Sequence, residues 1–221
     1  MPKVKRVTKK ARNNTLKTIL KSTKTELDKE LTKNVTIVNK LNSLTEIFDM
    51  YFYLLVIPQK RYLKPFRFSN SQLDNLISLY NSCNDSSKVH IENLDKKSYP
   101  TVDMFDNMKM KKEVDYIGVT PKTPTEKKKD FKKILTVINK LYQLSQKYKV
   151  KYSLLVIPKR SDYKPFYVCN ANLFETFEHY EKNKSDALDF RSEYFTPPET
   201  DTFLNLPEFN NQAKEEKKCK K

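Results

Sequence analysis

Two stretches of this chain run through helical and then strand periodicity in the same order. From Leu27 onward, apolar residues recur every three or four positions, at Leu31, Val35, Val38, Leu41, Leu44 and Phe48. That is the spacing of one helix face. An unbroken aromatic and branched run then fills Tyr51–Ile57 and stops at Pro58, which predicts a buried strand. A turn rich in Lys and Arg leads to a second short strand near Pro65–Phe68. Asn70 then stands where it would N-cap a last helix ending near Tyr80. The second half repeats this order. Phe131, Leu135, Ile138, Leu141, Leu144 and Tyr148 mark the helix, and Lys151–Ile157, ended by Pro158, marks the strand. A second strand falls near Pro165–Val168, followed by Asn170 and a helix to Tyr180.

The two stretches align without a gap at an offset of one hundred residues. Asn39-Lys40-Leu41 matches Asn139-Lys140-Leu141, Leu54–Pro58 matches Leu154–Pro158, and Lys64-Pro65-Phe66 matches Lys164-Pro165-Phe166. The unit is therefore a duplicated helix–strand–strand–helix. One hairpin and one amphipathic helix cannot close a core, because a lone two-stranded hairpin is marginal in water. The expected fold class is α+β. The repeats would pair within the chain as a pseudo-dimer, with a four-stranded antiparallel sheet and the long helices on one face. The expected organisation is a basic arm over 1–22, repeats over 23–80 and 123–180, a linker over 81–122, and a mostly disordered tail over 181–221.

Charge changes this picture next. The formal net charge is +16, and residues 1–25 carry nine basic residues and no acidic one. Such a surplus favours a polyanionic partner, since neutralised phosphates release their counterions. Cys83, Cys169 and Cys219 share no short spacing, so they suggest neither a disulfide framework nor a zinc site. The lone glycine, Gly118, excludes phosphate-cradling loops of the Walker or dinucleotide type. His90 and His179 have no nucleophile or carboxylate cluster beside them, so no active site, metal or cofactor is expected. No apolar run reaches membrane length. The expected location is the nucleus, with the cytosol as alternative.

The stretch Asn139-Lys140-Leu141-Tyr142-Gln143-Leu144-Ser145, followed by Val150–Ile157, resembles the MADS box. The first copy matches it at Asn39, Lys40, Leu41, Leu44, Thr45 and Leu54–Ile57. MADS boxes are dimeric DNA-binding domains whose antiparallel helices lie along an A·T-rich minor groove, with an N-terminal arm entering it. The resemblance therefore implies that one chain carries both halves of such a dimer. It implies DNA-binding roles for Lys33, Lys40, Lys132, Lys133 and Lys140, and for the neighbouring Lys127, Lys128 and Lys129. The arm residues Lys3, Lys5, Arg6, Lys9, Lys10 and Arg12 would reach the groove. Thr36 and Thr136 stand where the family has a helix glycine, and Lys33 is set among Glu26, Asp28 and Glu30.

The expected function is that of a DNA-binding transcriptional regulator or chromatin-associated factor, not an enzyme, with double-stranded DNA as partner. The alternatives are a protein-interaction scaffold that kept the duplicated fold, or an RNA-binding protein using the strand aromatics Tyr51, Phe52, Tyr53 and Tyr152 as stacking platforms. The repeats could pair within one monomer or between two chains of a homodimer.

Overall fold

The computed structural model describes residues 9–93, 100, 104, 123–159 and 163–205; the side chains of 9–24, 46–48, 124, 127 and 194 fall outside that description. Each repeat opens on a long helix, α1 (Lys9–Phe48) and α3 (Pro124–Tyr148). A hairpin follows in each, β1 (Met50–Ile57) with β2 (Phe66–Ser69), and β4 (Lys151–Pro158) with β5 (Phe166–Cys169). Then come the short helices α2 (Leu73–Ser82) and α4 (Leu173–Lys182). β1 and β4 pair antiparallel along their full length, with Leu54 directly opposite its own repeat equivalent Leu154. The pseudo-twofold axis of the duplication therefore passes through the sheet centre, and the repeats pair within the chain.

The sheet has six strands where four were expected, and it is mixed. Its order is β3-β5-β4-β1-β2-β6. β3 (Val89–Glu92) follows α2 and lies parallel to β5, while β6 (Leu188–Arg191) follows α4 and lies parallel to β2. Each repeat thus sends its last strand onto the hairpin of the other. Val89 pairs with Phe166 and Leu188 with Phe66, so these strands are themselves repeats, now at an offset of ninety-nine. The Tyr80 hydroxyl donates to the Val89 carbonyl at 3.0 Å, and the Tyr180 hydroxyl to that of Leu188 at 3.3 Å. Burial pushes both phenols up to about 12.

Strand alternation separates two cores. Phe52, Leu54, Val56, Tyr152, Leu154 and Val156 face the long helices, which present Leu27, Leu31, Val38, Leu41, Ile134, Ile138 and Leu141. Tyr53, Leu55, Ile57, Leu155 and Ile157 face α2 and α4. Burying each such side chain contributes roughly 1.5–3 kcal/mol. Within the helical stripe, Val35 and Leu135 are only partly buried, and Ile37 and Val137 take the deeper positions.

Several expectations are corrected. Asn70 and Asn170 do not cap helices; Gln72 and Asn172 hold those positions. The Asn70 side chain instead accepts from Phe52 N at 2.8 Å and donates to the Met50 carbonyl at 2.7 Å. Asn170 makes the same clamp to Tyr152 N at 2.7 Å and the Val150 carbonyl at 2.8 Å. In each copy a short amide side chain just past the second hairpin strand satisfies a donor and an acceptor at the start of the first.

Part of the expected basic arm over 1–22 lies within α1. Residues from Lys9 onward continue α1 without a break, since no proline or glycine interrupts Lys9–Phe48. Lys3, Lys5 and Arg6 lie outside the described residues. The tail is ordered as far as residue 205. Phe203 is fully buried against Phe66 at 5.1 Å, and Phe190 packs on Phe66 at 6.2 Å. These aromatics supply the burial that the polar composition of 181–221 concealed; residues 206–221 lie outside the described part. The linker contributes β3, and most of 94–122 is not described.

Both long helices end on a left-handed residue, Asp49 at φ 45° and Lys149 at φ 56°. A glycine would ordinarily take that role. Among the described residues no helix is long and apolar enough to cross a membrane.

Candidate nucleic-acid interface

The two long helices pack side by side in opposite directions. Lys147 Nζ lies 2.6 Å from Glu26 Oε2, and the Tyr148 hydroxyl donates to the same oxygen at 3.4 Å. One face-length further along, the Lys33 ammonium feels the charges of Lys140 and Lys147. Moving seven residues up α1 therefore moves seven residues down α3. Lys33 and Lys140 therefore stand level with one another across this seam.

Burial holds the Lys33 ammonium below its ordinary value, and repulsion from Lys140 and then Lys147 adds to it, while Glu26 pulls the other way. Lys33 also lies over the Tyr148 ring, 5.7 Å from its centroid. The repeat equivalents Lys40 and Lys140 are both half-buried. Lys133 is exposed and sits 3.7 Å from Asp130. Lys128, Lys129 and Lys132 are exposed near the start of α3. That start is fixed by a capping box, in which Thr123 Oγ1 accepts from Glu126 N at 3.3 Å and Glu126 Oε2 accepts from Thr123 N at 2.8 Å. Thr36 and Thr136 turn their hydroxyls back onto the helix, donating to the carbonyls of Thr32 at 2.6 Å and Lys132 at 2.8 Å.

Not every expected residue is brought to this face by described side chains. Lys9, Lys10 and Arg12 stand on the first turns of α1 and Lys127 on the first turn of α3, with side chains outside the description. Two lysines at the seam were missing from the expectation. Lys147 is opposite Ile47 in the repeat alignment, so comparing copies gave no signal. Lys29, 3.3 Å from Glu26, is shared with Lys129, and the helical spacing 29, 33, 40 could have placed it on the seam.

Two acids of the first repeat's long helix, Glu26 and Glu30, are paired within the chain. Glu26 takes Lys147 and Lys29, and the hydrogen bond from Lys147 lowers its carboxyl below the usual range most strongly. Glu30 is 0 % exposed and accepts from Lys60 Nζ at 2.7 Å. Burial outweighs that bond and raises the Glu30 carboxyl. Lys159 likewise ties to Asp49 at 2.6 Å. These two hairpin-turn lysines therefore serve as structural ties, while Arg61 is exposed and Arg160 lies outside the described residues.

The strand aromatics do not form an open stacking platform. Phe52, Tyr53 and Tyr152 are buried, and half-buried Tyr51 has Lys159 over its ring at 4.7 Å. His90 stacks on Tyr167 at 5.1 Å, and His179 Nδ1 lies 3.3 Å from Asn183 Nδ2. Among the described residues no group of three or more His, Cys, Asp or Glu could hold a metal ion.

Compared with protein-family models, with curated proteins and with solved structures, the chain has no match in any of the three.

Proposed function

We propose that the chain binds duplex DNA with the outer face of the α1–α3 pair, as a single-chain pseudo-dimer of MADS-like repeats. The observation that carries this reading is the lysine seam. Lys33 and Lys140 bring like charge together along the contact of two packed helices, with Lys147 beside them tied to Glu26, and this favours a polyanion laid along it. Antiparallel long helices above a continuous sheet, joined through the central β1–β4 pair, support the pseudo-dimer reading. Docking would be chiefly electrostatic, with a preference for A·T-rich duplex through groove width. A role in nuclear transcription or chromatin follows from such binding.

The test is fluorescence anisotropy of the full chain on A·T-rich and G·C-rich duplexes, single strands and RNA across a salt series. Tight, steeply salt-dependent binding that is strongest on A·T-rich duplex is the expected result. Equal binding to all four at about 10⁻⁴ M, the weak end of non-specific affinity, overturns it.

A second reading, a protein-binding scaffold, draws on one feature of the opposite face. Phe174 on α4 is 61 % exposed beside Glu175 and Glu178, an apolar residue in an acidic setting suited to a basic partner. Phe174→Ser abolishing a pull-down while leaving duplex binding intact would assign that face to a protein.

A further inference from the structure

We propose that the duplex is held at two separate phosphate grips, one on each end of the helix pair, with a near-neutral band between them. This rests on the DNA-binding reading above and deepens it. The antiparallel contacts, Glu26 with Lys147 and Lys33 beside Lys140, fix which residues stand level with one another. Lys127–Lys133 of α3 stand level with about residues 40–46 of α1. Tyr148, the last residue of α3, stands level with about residue 25. The stretch Lys9–Lys24 of α1 therefore continues past the end of its partner helix as helical backbone.

Both ends are basic and the middle is not. Lys9–Lys24 contains six basic residues and no acidic one. The start of α3, Lys127–Lys133, contains five lysines and one acid, Asp130. Between them α1 carries Glu26, Asp28 and Glu30, of which Glu26 neutralises Lys147 and Lys29 and Glu30 is buried on Lys60. Lys33 and Lys140 also stand in that band, so it holds phosphate more weakly than either end.

Spacing turns this arrangement into a footprint. The midpoints of the two basic stretches are separated by about 26 residues of helix, or about 40 Å at 1.5 Å per residue. One turn of duplex is about 34–36 Å. The two grips therefore meet the same side of the duplex about one turn apart. They come from non-equivalent elements, Lys9–Lys24 of α1 and the capped start of α3. Bound DNA accordingly has one preferred orientation, although the fold beneath it is pseudo-symmetric.

The experiment is hydroxyl-radical footprinting on a 30-bp A·T-rich duplex with the full chain. Two variants accompany it, Lys17→Gln/Lys21→Gln/Lys24→Gln and Lys128→Gln/Lys129→Gln/Lys132→Gln. Glutamine preserves helix propensity. The expected result is two protected backbone patches about one turn apart. Each variant erases one patch and lowers the salt slope by at most about 2.7, near 0.9 per lost phosphate contact. A single continuous patch, or equal dimming of both patches by either variant, overturns the two-grip arrangement while leaving DNA binding in place. Absence of any protection by the unaltered protein overturns the DNA-binding reading itself.

Discussion

The two repeats share a skeleton and differ in charge, and the difference separates what holds the fold from what serves a partner. The shared positions are structural. Asn70 and Asn170 clamp the central strands, Asp49 and Lys149 turn the chain out of the long helices, and Tyr80 and Tyr180 tie the final strands. The differing positions lie on surfaces and edges. Residues 25–48 of α1 carry three lysines against four acidic residues, while 124–148 of α3 carry seven lysines against two. At the sheet edges, Arg67 makes a bidentate pair with Asp189 in one half, while Tyr167 stacks on His90 in the other. A duplication that keeps its clamps can let its two outer faces diverge without losing the core.

The clamps are the largest test of this comparison. Asn70→Ala and Asn170→Ala each remove two hydrogen bonds and leave strand-start groups unpaired, at a cost of about 2–4 kcal/mol. Chemical denaturation should give similar losses for both. A silent change on one side would break the equivalence.

Next in size is the buried acid of the first repeat, Glu30, paired with Lys60 of its hairpin turn. Lys60→Met strands the Glu30 carboxylate and is expected to cost about 2–3 kcal/mol, less than a fully enclosed pair because Lys60 keeps some solvent. Adding Glu30→Met to that variant should restore most of the loss. Titration sharpens the point. The Glu30 carboxyl is raised above its ordinary 4.5, so its favourable contribution is complete below that value and fades as pH rises through the raised one. Melting temperatures of Glu30→Gln and the unaltered chain should therefore diverge across that window, with the unaltered chain losing ground as pH rises.

The smallest expected effect is a gain. Lys149→Gly relieves a left-handed non-glycine residue and should add about 1 kcal/mol. Asp49→Gly should add less, because it also breaks the pair with Lys159. Equal gains from both would show that this pair contributes nothing.

Much of the skeleton was legible in the sequence. Helical spacing and the apolar runs placed the long helices and central strands, because both periodicities reflect burial on one side or both. The third strand of each repeat was not legible. Val89–Glu92 and Leu188–Arg191 share no identical residue, and their offset slips by one, so pairing geometry conserves them where side chains do not. Asn70 was misread because an asparagine near a helix start satisfies either a cap or a strand. At the candidate site, Lys33 and Lys140 were legible singly, through their repeat equivalents Lys133 and Lys40. Their meeting across the seam, and the contribution of Lys147, depend on antiparallel packing that no local pattern encodes.

The most direct measurement combines stability and DNA affinity in Lys33→Gln/Lys140→Gln. The account predicts opposite signs: a melting temperature unchanged or raised, since like charges across the seam are relieved, with weaker duplex binding and a salt slope lower by at most about 1.8. Unchanged affinity and slope in this variant, with the fold intact, would contradict the lysine seam as a DNA-binding surface.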